Sequence, residues 1–295
     1  MKLLFTLVLL FLLSISASQA QTVMRGSGRV DASEKKSEAQ KLDQASVKVY
    51  YLFSQQRDIP NEKPFRNDTM SLYIGNEISY YFDESFRLKD SIAGSILNNF
   101  PVQAIQSISV LKNQDDFENI LGEKTEVSSF DGNSEKIYKN RVKKEMTLIN
   151  TGGNDLFQCI DPVEFDWQIS GDTATILGYS CQKAETRFRG RNYKVWFAPE
   201  IPINEGPWKF YGLPGLILKV SDDKGLISFE SIGLEELKDP YPIIRSDNKP
   251  INCNLKKYTQ MIRDKGAGMA YFFNGGNIVI ASKKLESSYE DLELQ

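Results

Sequence analysis

Short runs of β-branched and aromatic residues, each closed by a turn signal, recur along this chain, and they constrain its fold more than any other feature. Met70–Ile74 and Ile78–Phe82 alternate apolar residues on either side of Gly75-Asn76-Glu77, the pattern of a hairpin with one buried face. Ser46–Phe53 reads as a strand before it, and the segment holding Pro60 and Pro64 reads as a loop. Ser107–Leu111 is a further short strand candidate. From Glu135 onward the pattern repeats. Lys136–Tyr138, Met146–Ile149, Phe165–Ile169, Ala174–Ala184, Glu185–Phe188, Tyr193–Ala198, Gly215–Ser221 and Leu226–Ile232 are strand candidates. Turns are predicted at Ser170-Gly171-Asp172, Arg189–Asn192 and Asp222–Gly225, and a last hairpin is predicted around Asn274–Asn277. Strands joined by such short turns pair with their neighbours in antiparallel fashion. Helical spacing is confined to two places. One is Phe86–Asn99, with Leu88, Ile92, Ile96 and Leu97; the other follows Asn254, a candidate N-cap, and ends before Gly266 and Gly268. The predicted fold is therefore mainly β (α+β): an antiparallel β meander with one or two short helices.

The N-terminus carries a different pattern. Lys2 precedes the apolar run Leu3–Leu13, and Ser18 and Ala20 place small residues before Gln21, the layout of a cleavable export signal over residues 1–20. That run is too short to span a bilayer as a helix, so no transmembrane segment is expected in the mature chain. Residues 21–45 are polar and read as a flexible lead-in to a single β-rich domain over 46–295. The chain of 295 residues has 36 basic and 39 acidic side chains; removing the signal takes away only Lys2. The mature net charge of −4 offers nucleic acid no general attraction. Histidine is absent, which excludes Ser-His-Asp and Cys-His machinery and zinc sites built on imidazole. Asp131–Glu135 is rich in oxygens but lacks the sixth-position glycine and terminal glutamate of a calcium loop, so it reads as a turn. No metal and no cofactor is expected. In an exported chain, Cys159, Cys181 and Cys253 allow one disulfide. Cys159–Cys181 is the first pair to consider because it closes a short loop; buried free thiols are the equal alternative.

Residues 164–230 carry a more specific signature. Ile176–Ala184, Phe188–Arg191, Val195–Phe197, Glu200–Ile203, Gly206–Phe210 and Gly212-Leu213-Pro214-Gly215-Leu216-Ile217 follow in order. This resembles the GLPGLI family, exported proteins of gram-negative bacteria named for that six-residue string. The resemblance extends to the hairpin at Leu72–Ser79 and to the closing Leu292-Glu293-Leu294. It implies a cell-envelope location, periplasmic, outer-envelope-associated or secreted, and brings no activity or cofactor with it. The β-meander also resembles in shape the curved half-barrel of periplasmic lipoprotein carriers.

Within the motif, Leu213-Pro214-Gly215-Leu216 suits a type II turn, with positive φ expected at Gly215, and Gly212 suits a close backbone approach. Candidate ligand-binding residues are the aromatic and turn residues Trp196, Trp208, Phe210, Tyr211, Leu213 and Pro214, with Arg189 and Arg191 as anion donors. The same aromatics also suit a core, and the arginines a solvated face. With no catalytic set legible, the expected function is a non-enzymatic envelope protein that binds an apolar ligand, such as a lipid, or an extended protein segment. The alternative is an exported hydrolase using carboxylates or Cys181, and a third reading is a structural protein whose partner is another envelope protein.

Overall fold

A computed structural model describes residues 39–56, 66–88, 107–111, 134–152, 155–245, 249–264, 267–274 and 277–284. All fall within one compact unit. The fold is mainly β, as the hairpin signals predict. A large open sheet of twelve strands is built from β1 (Gln40–Gln55), β2 (Arg66–Gly75), β3 (Ile78–Asp83), β5 (Lys136–Asn140), β6 (Glu145–Gly152), β7 (Asp155–Asp161), β8 (Gln168–Ile176), β9 (Tyr179–Phe188), β10 (Arg191–Ala198), β11 (Leu216–Asp222), β12 (Ile227–Arg245) and β13 (Ile251–Asn252). Its order is β13-β7-β6-β5-β3-β2-β1-β12-β11-β10-β9-β8, so the sheet curves without closing, as a half-barrel. Within this sheet, among the described residues, every pairing is antiparallel except β13 with β7. A second sheet of three strands holds β14 (Ala267–Asn274), β15 (Asn277–Lys284) and β4 (Ser107–Leu111). Helix α1 is a single turn at 84–88, and α2 spans Leu255–Asp264. Asn254 caps α2, its Oδ1 accepting from Lys257 N at 2.9 Å. Helix positions expected beyond residue 88, and the expected turn at 131–133, lie outside the described residues.

Strand alternation sorts the side chains onto two faces. Val49, Tyr51 and Phe53 of β1, Leu72 and Ile74 of β2, and Tyr193, Val195 and Phe197 of β10 point to the concave side. The convex side carries a smaller cluster of Ala45, Tyr73, Phe82, Tyr138, Ile149 and Ile243. There Tyr80 stacks between Phe82 and Tyr138, with both ring centroids 4.8 Å away.

Several elements differ from the sequence reading: β7 was not expected, and Phe165–Trp167 precede β8 without joining it. Ser170-Gly171-Asp172 is no turn: β8 runs through it with a bulge between Ile169 and Thr173. The chain reverses instead at Leu177-Gly178, where φ is 51° and 83°, the doubly left-handed geometry that matches strand twist in a two-residue hairpin. β12 continues past the expected end at Ile232 through Pro240 and Pro242 to Arg245. β11 pairs with it only over Ser228–Glu230, so beyond that point the prolines take no ladder bond from β11. The long β12 in turn gives Gln40–Ala45 a partner, and β1 begins at Gln40 although its first residues are polar.

Candidate functional site

The concave face is where a half-barrel would hold a ligand, and here residues 199–215 fill it. This crossover leaves β10 at Pro199 and returns as β11. Its backbone is tied to the start of β11: Leu216 N donates to Ile201 O at 3.0 Å and Ile217 N to Glu205 O at 2.9 Å. Trp208 has φ of 49°, a conformation that costs a non-glycine residue about 1–2 kcal/mol. It places the indole in the core, parallel to Phe229 at 6.3 Å and edge-on to Phe188 at 5.9 Å. Phe210 is fully buried, with the rings of Tyr193 at 4.9 Å, Trp208 at 5.5 Å and Phe165 at 5.5 Å. Leu213 is buried with them.

A buried ion pair anchors this plug. Lys139 points from β5 into the concave side, and its Nζ lies 2.6 Å from Glu205 Oε2, both side chains being almost wholly buried. The same ammonium donates to Gly206 O at 2.7 Å and Phe210 O at 3.3 Å, so beside the ion pair it is held by two main-chain acceptors of the crossover. Ser79 Oγ of β3 donates to the other carboxylate oxygen at 2.8 Å. Burial pulls the Lys139 ammonium below the usual lysine range, while Glu205 pulls it back up. A pocket opens beside the pair, lined by Asn140, Arg141, Lys144 and Tyr211. Arg141 already donates to Gly75 O and Asn76 O.

A second pair closes the other side. Asp161, at the end of β7, accepts from Lys209 Nζ at 2.6 Å and from Arg189. Trp167 Nε1 donates to Tyr211 O at 3.0 Å, and Phe165 stacks on Trp167 at 4.9 Å, so residues 162–167 cover the plug.

The candidate residues thus separate. Trp208, Phe210 and Leu213 come together as core; Tyr211 lies half-buried at their margin, its hydroxyl bonded to Val163 O. Pro214 is exposed. Trp196 is half-buried on β10, packed against the same core cluster and opposite Lys183 of β9 and Lys219 of β11. Arg187, Arg189 and Arg191 do not share a face, because the turn intervenes. Arg187 is exposed, Arg189 turns inward to Asp161, and Arg191 is buried 3.3 Å from Asp222 Oδ2. Each inward arginine already faces a carboxylate.

The two motif glycines exchange the roles expected of them. Positive φ falls at Gly212, at 101°, and not at Gly215. Gly215 is the close approach: a Cβ there would sit 2.3 Å from Ala198 O, where the returning chain crosses the end of β10. A type II turn at Leu213–Leu216 is therefore not formed.

The three cysteines are free. Cys159 and Cys181 occupy β7 and β9, which are not neighbouring strands, so the topology does not pair the two expected first. Burial raises the Cys181 thiol above its ordinary range, opposite to what a nucleophile needs. Among the described residues no group of three or more metal-ligating side chains converges, and no helix is long and apolar enough to cross a membrane.

Sequence reasoning missed Lys139, Glu205, Asp161 and Ser79. Each is a polar residue on a short strand or in the loop, and its partners come from segments distant in the chain.

Among solved structures, the chain is similar to PNGF-II in two crystal forms. In the P21 form identity is 17% and the TM-score 0.48, over 79% of this chain and 35% of that one. In the C2 form identity is 16% and the TM-score 0.49, over 78% and 35%. The chain therefore spans about a third of the length of the PNGF-II chains it matches. No curated protein matches it. A family model described as a protein of unknown function, Porph_ging, matches residues 189–219, from the β9–β10 turn through the crossover to β11.

Proposed function

We propose that this chain is a GLPGLI-type exported protein of the cell envelope, non-enzymatic, whose mature form binds an extended protein segment by adding it as a strand to the outer edge of β8. The observation that carries this reading is a contrast between the interior and the edge. The concave face, where an apolar ligand would lodge, is occupied by Trp208, Phe210 and Leu213, while β8 has no strand on its outer side among the described residues.

Edge strands that must not pair are usually guarded by charge, proline or a bulge. β8 is guarded in its first half by the bulge and by Asp172, which pairs with Lys183 at 3.3 Å. Its second half, Thr173-Ala174-Thr175-Ile176, has no charge, proline or glycine. Ala174 and Ile176 are half-buried, and Thr173 and Thr175 are exposed. Strand addition draws affinity from main-chain hydrogen bonds along such an edge, and selectivity from alternate side chains. Export through residues 1–20 and a periplasmic, outer-envelope or secreted address belong to the same proposal and rest on the sequence. The buried Cys181, and the pairing of Glu205, Asp161 and Asp222 with bases, give the hydrolase alternative no support.

An array of unstructured ten-residue peptides with alternating apolar positions tests the reading, probed with wild-type protein and with Thr175→Lys. Wild type is expected to bind a subset of the peptides, and the variant to bind them at least about tenfold more weakly, since a like-for-like strand must now desolvate an edge charge. Binding that is indifferent to the substitution, or no bound peptide at all, would sink the proposal.

A further inference from the structure

We propose that Cys159 and Cys253 are a disulfide-forming pair that fastens the segment leading into α2 onto β7. β13 pairs with β7 in parallel, Ile251 opposite Phe157 and Asn252 opposite Gln158. One residue further, Cys253 N donates to Gln158 O at 2.9 Å, which carries the ladder up to Cys253 and places it beside Cys159. Neighbouring strands lie about 4.8 Å apart, within the Cα separation of about 4.4–6.8 Å that a disulfide spans.

The facing of the side chains is settled by the preceding pair. Gln158 Nε2 donates to Asn252 Oδ1 at 3.3 Å, so those two side chains emerge on the same side. Cys159 and Cys253, next along each chain, both turn to the other side. Both pack against the concave core, Cys159 fully buried and Cys253 partly exposed. Each thiol acts electrostatically on the buried Tyr258 of α2, whose hydroxyl donates to Glu135 at 2.9 Å. β13 is only two residues long, so little else in the ladder holds this edge. Cys181, on β9, stays out of the pairing.

The bond forms by two exchanges with a disulfide-bearing oxidant. The more exposed Cys253 thiolate attacks one sulfur of the oxidant, breaking its S–S bond and releasing one thiolate. Cys159 then attacks Cys253 Sγ and expels the second oxidant sulfur as a thiolate. The two protons lost by the cysteines pass through solvent to the two released thiolates, which carry the two electrons as the oxidant's thiols. In the cell the reaction requires the oxidising compartment of the export proposal; in a tube it does not, and the test is placed there so that the two ideas fail separately.

Full-length protein, purified reduced, is incubated with oxidised glutathione, alkylated and mapped without reduction. A single Cys159–Cys253 linked peptide is expected, with Cys181 recovered as a thiol that alkylates only after unfolding. Cys159→Ala is expected to accumulate a glutathione mixed disulfide at Cys253. Oxidised wild type should melt roughly 5 °C or more above the reduced form, because a loop of roughly ninety residues is closed; Cys253→Ser should lose that difference. Linkage involving Cys181, or all three thiols intact in folded protein after prolonged oxidation, would overturn the pairing. Should the pair form in the tube while the protein is found in a reducing compartment, the export proposal fails and the pair stands.

Discussion

Lys139 shows how a single residue organises this protein. Its ammonium is desolvated, and it is held by one carboxylate and two main-chain carbonyls of the crossover. Removing one member of a buried pair leaves an uncompensated charge, at a cost of about 3–5 kcal/mol. Lys139→Met is therefore expected to lower unfolding stability by about that amount, read from denaturant midpoints. The double change Lys139→Met with Glu205→Leu should recover part of the loss. Recovery stays incomplete because Gly206 O, Phe210 O and Ser79 Oγ are left without their partners. Full recovery would mean the charges contribute nothing to the fold of the crossover. Gly215 makes a complementary case. Gly215→Ala drives a methyl into Ala198 O, and the chain must shift at a packed crossing, costing roughly 1–3 kcal/mol or more. A variant as stable as wild type in thermal melts would contradict the close approach. Neither effect is legible in the string GLPGLI itself: proline followed by glycine advertises a turn, whereas the need for Gly215 comes from a strand end seventeen residues earlier in the chain.

At the scale of elements, the hairpins were readable where alternation and turn chemistry agreed. The β2–β3 hairpin is the clearest example, and its turn has a support that sequence could not disclose. Asp43, from β1, accepts from Glu77 N at 2.8 Å, Ile78 N at 2.9 Å and Gln44 N at 2.7 Å. Partial burial would raise its carboxyl, but these donors outweigh it and the group is held below the usual aspartate range. A carboxyl depressed in the folded state contributes stability that is present above its unfolded value of about 3.9 and is lost as pH falls through the lower folded value. Wild type should thus lose stability below about pH 4 more steeply than Asp43→Asn, which cannot titrate there. Parallel acid limbs in urea melts would remove Asp43 from the account. β7 and the second half of β12 were not legible, for different reasons. β7 has no clean alternation, since Leu156, Phe157 and Gln158 are all half-buried and the strand is flanked on one side by only the two residues of β13. β12 contains the residues that normally end strands, and continues because its β11 flank is unpaired there. The Ser170-Gly171-Asp172 signal failed by being correct chemistry for a kink, which the strand absorbed as a bulge.

For the whole molecule, periodicity sufficed for a mainly β fold but not for the state of its interior. A curved sheet with aromatic strands is compatible with a cavity or with a core, and the difference lies in where residues 199–215 go. They return into the concavity, pinned by Lys139–Glu205 on one side and Lys209–Asp161 on the other. The residues that looked most like a ligand wall became packing, and the edge proposed for binding is the outer side of β8, where no strand pairs among the described residues. Truncation of Phe210 to alanine would remove a fully buried ring, at about 3–5 kcal/mol; the plug is thus part of the folded state and not a lid over it. Amide hydrogen exchange tests this most directly, followed by mass spectrometry on delipidated protein alone, with short-chain phospholipid, and with a peptide selected from the array. The account predicts that the peptide slows exchange at Thr173–Ile176 and leaves 206–217 unchanged, while phospholipid alters neither. Protection of 206–217 by phospholipid, with β8 unaffected by any peptide, would contradict it.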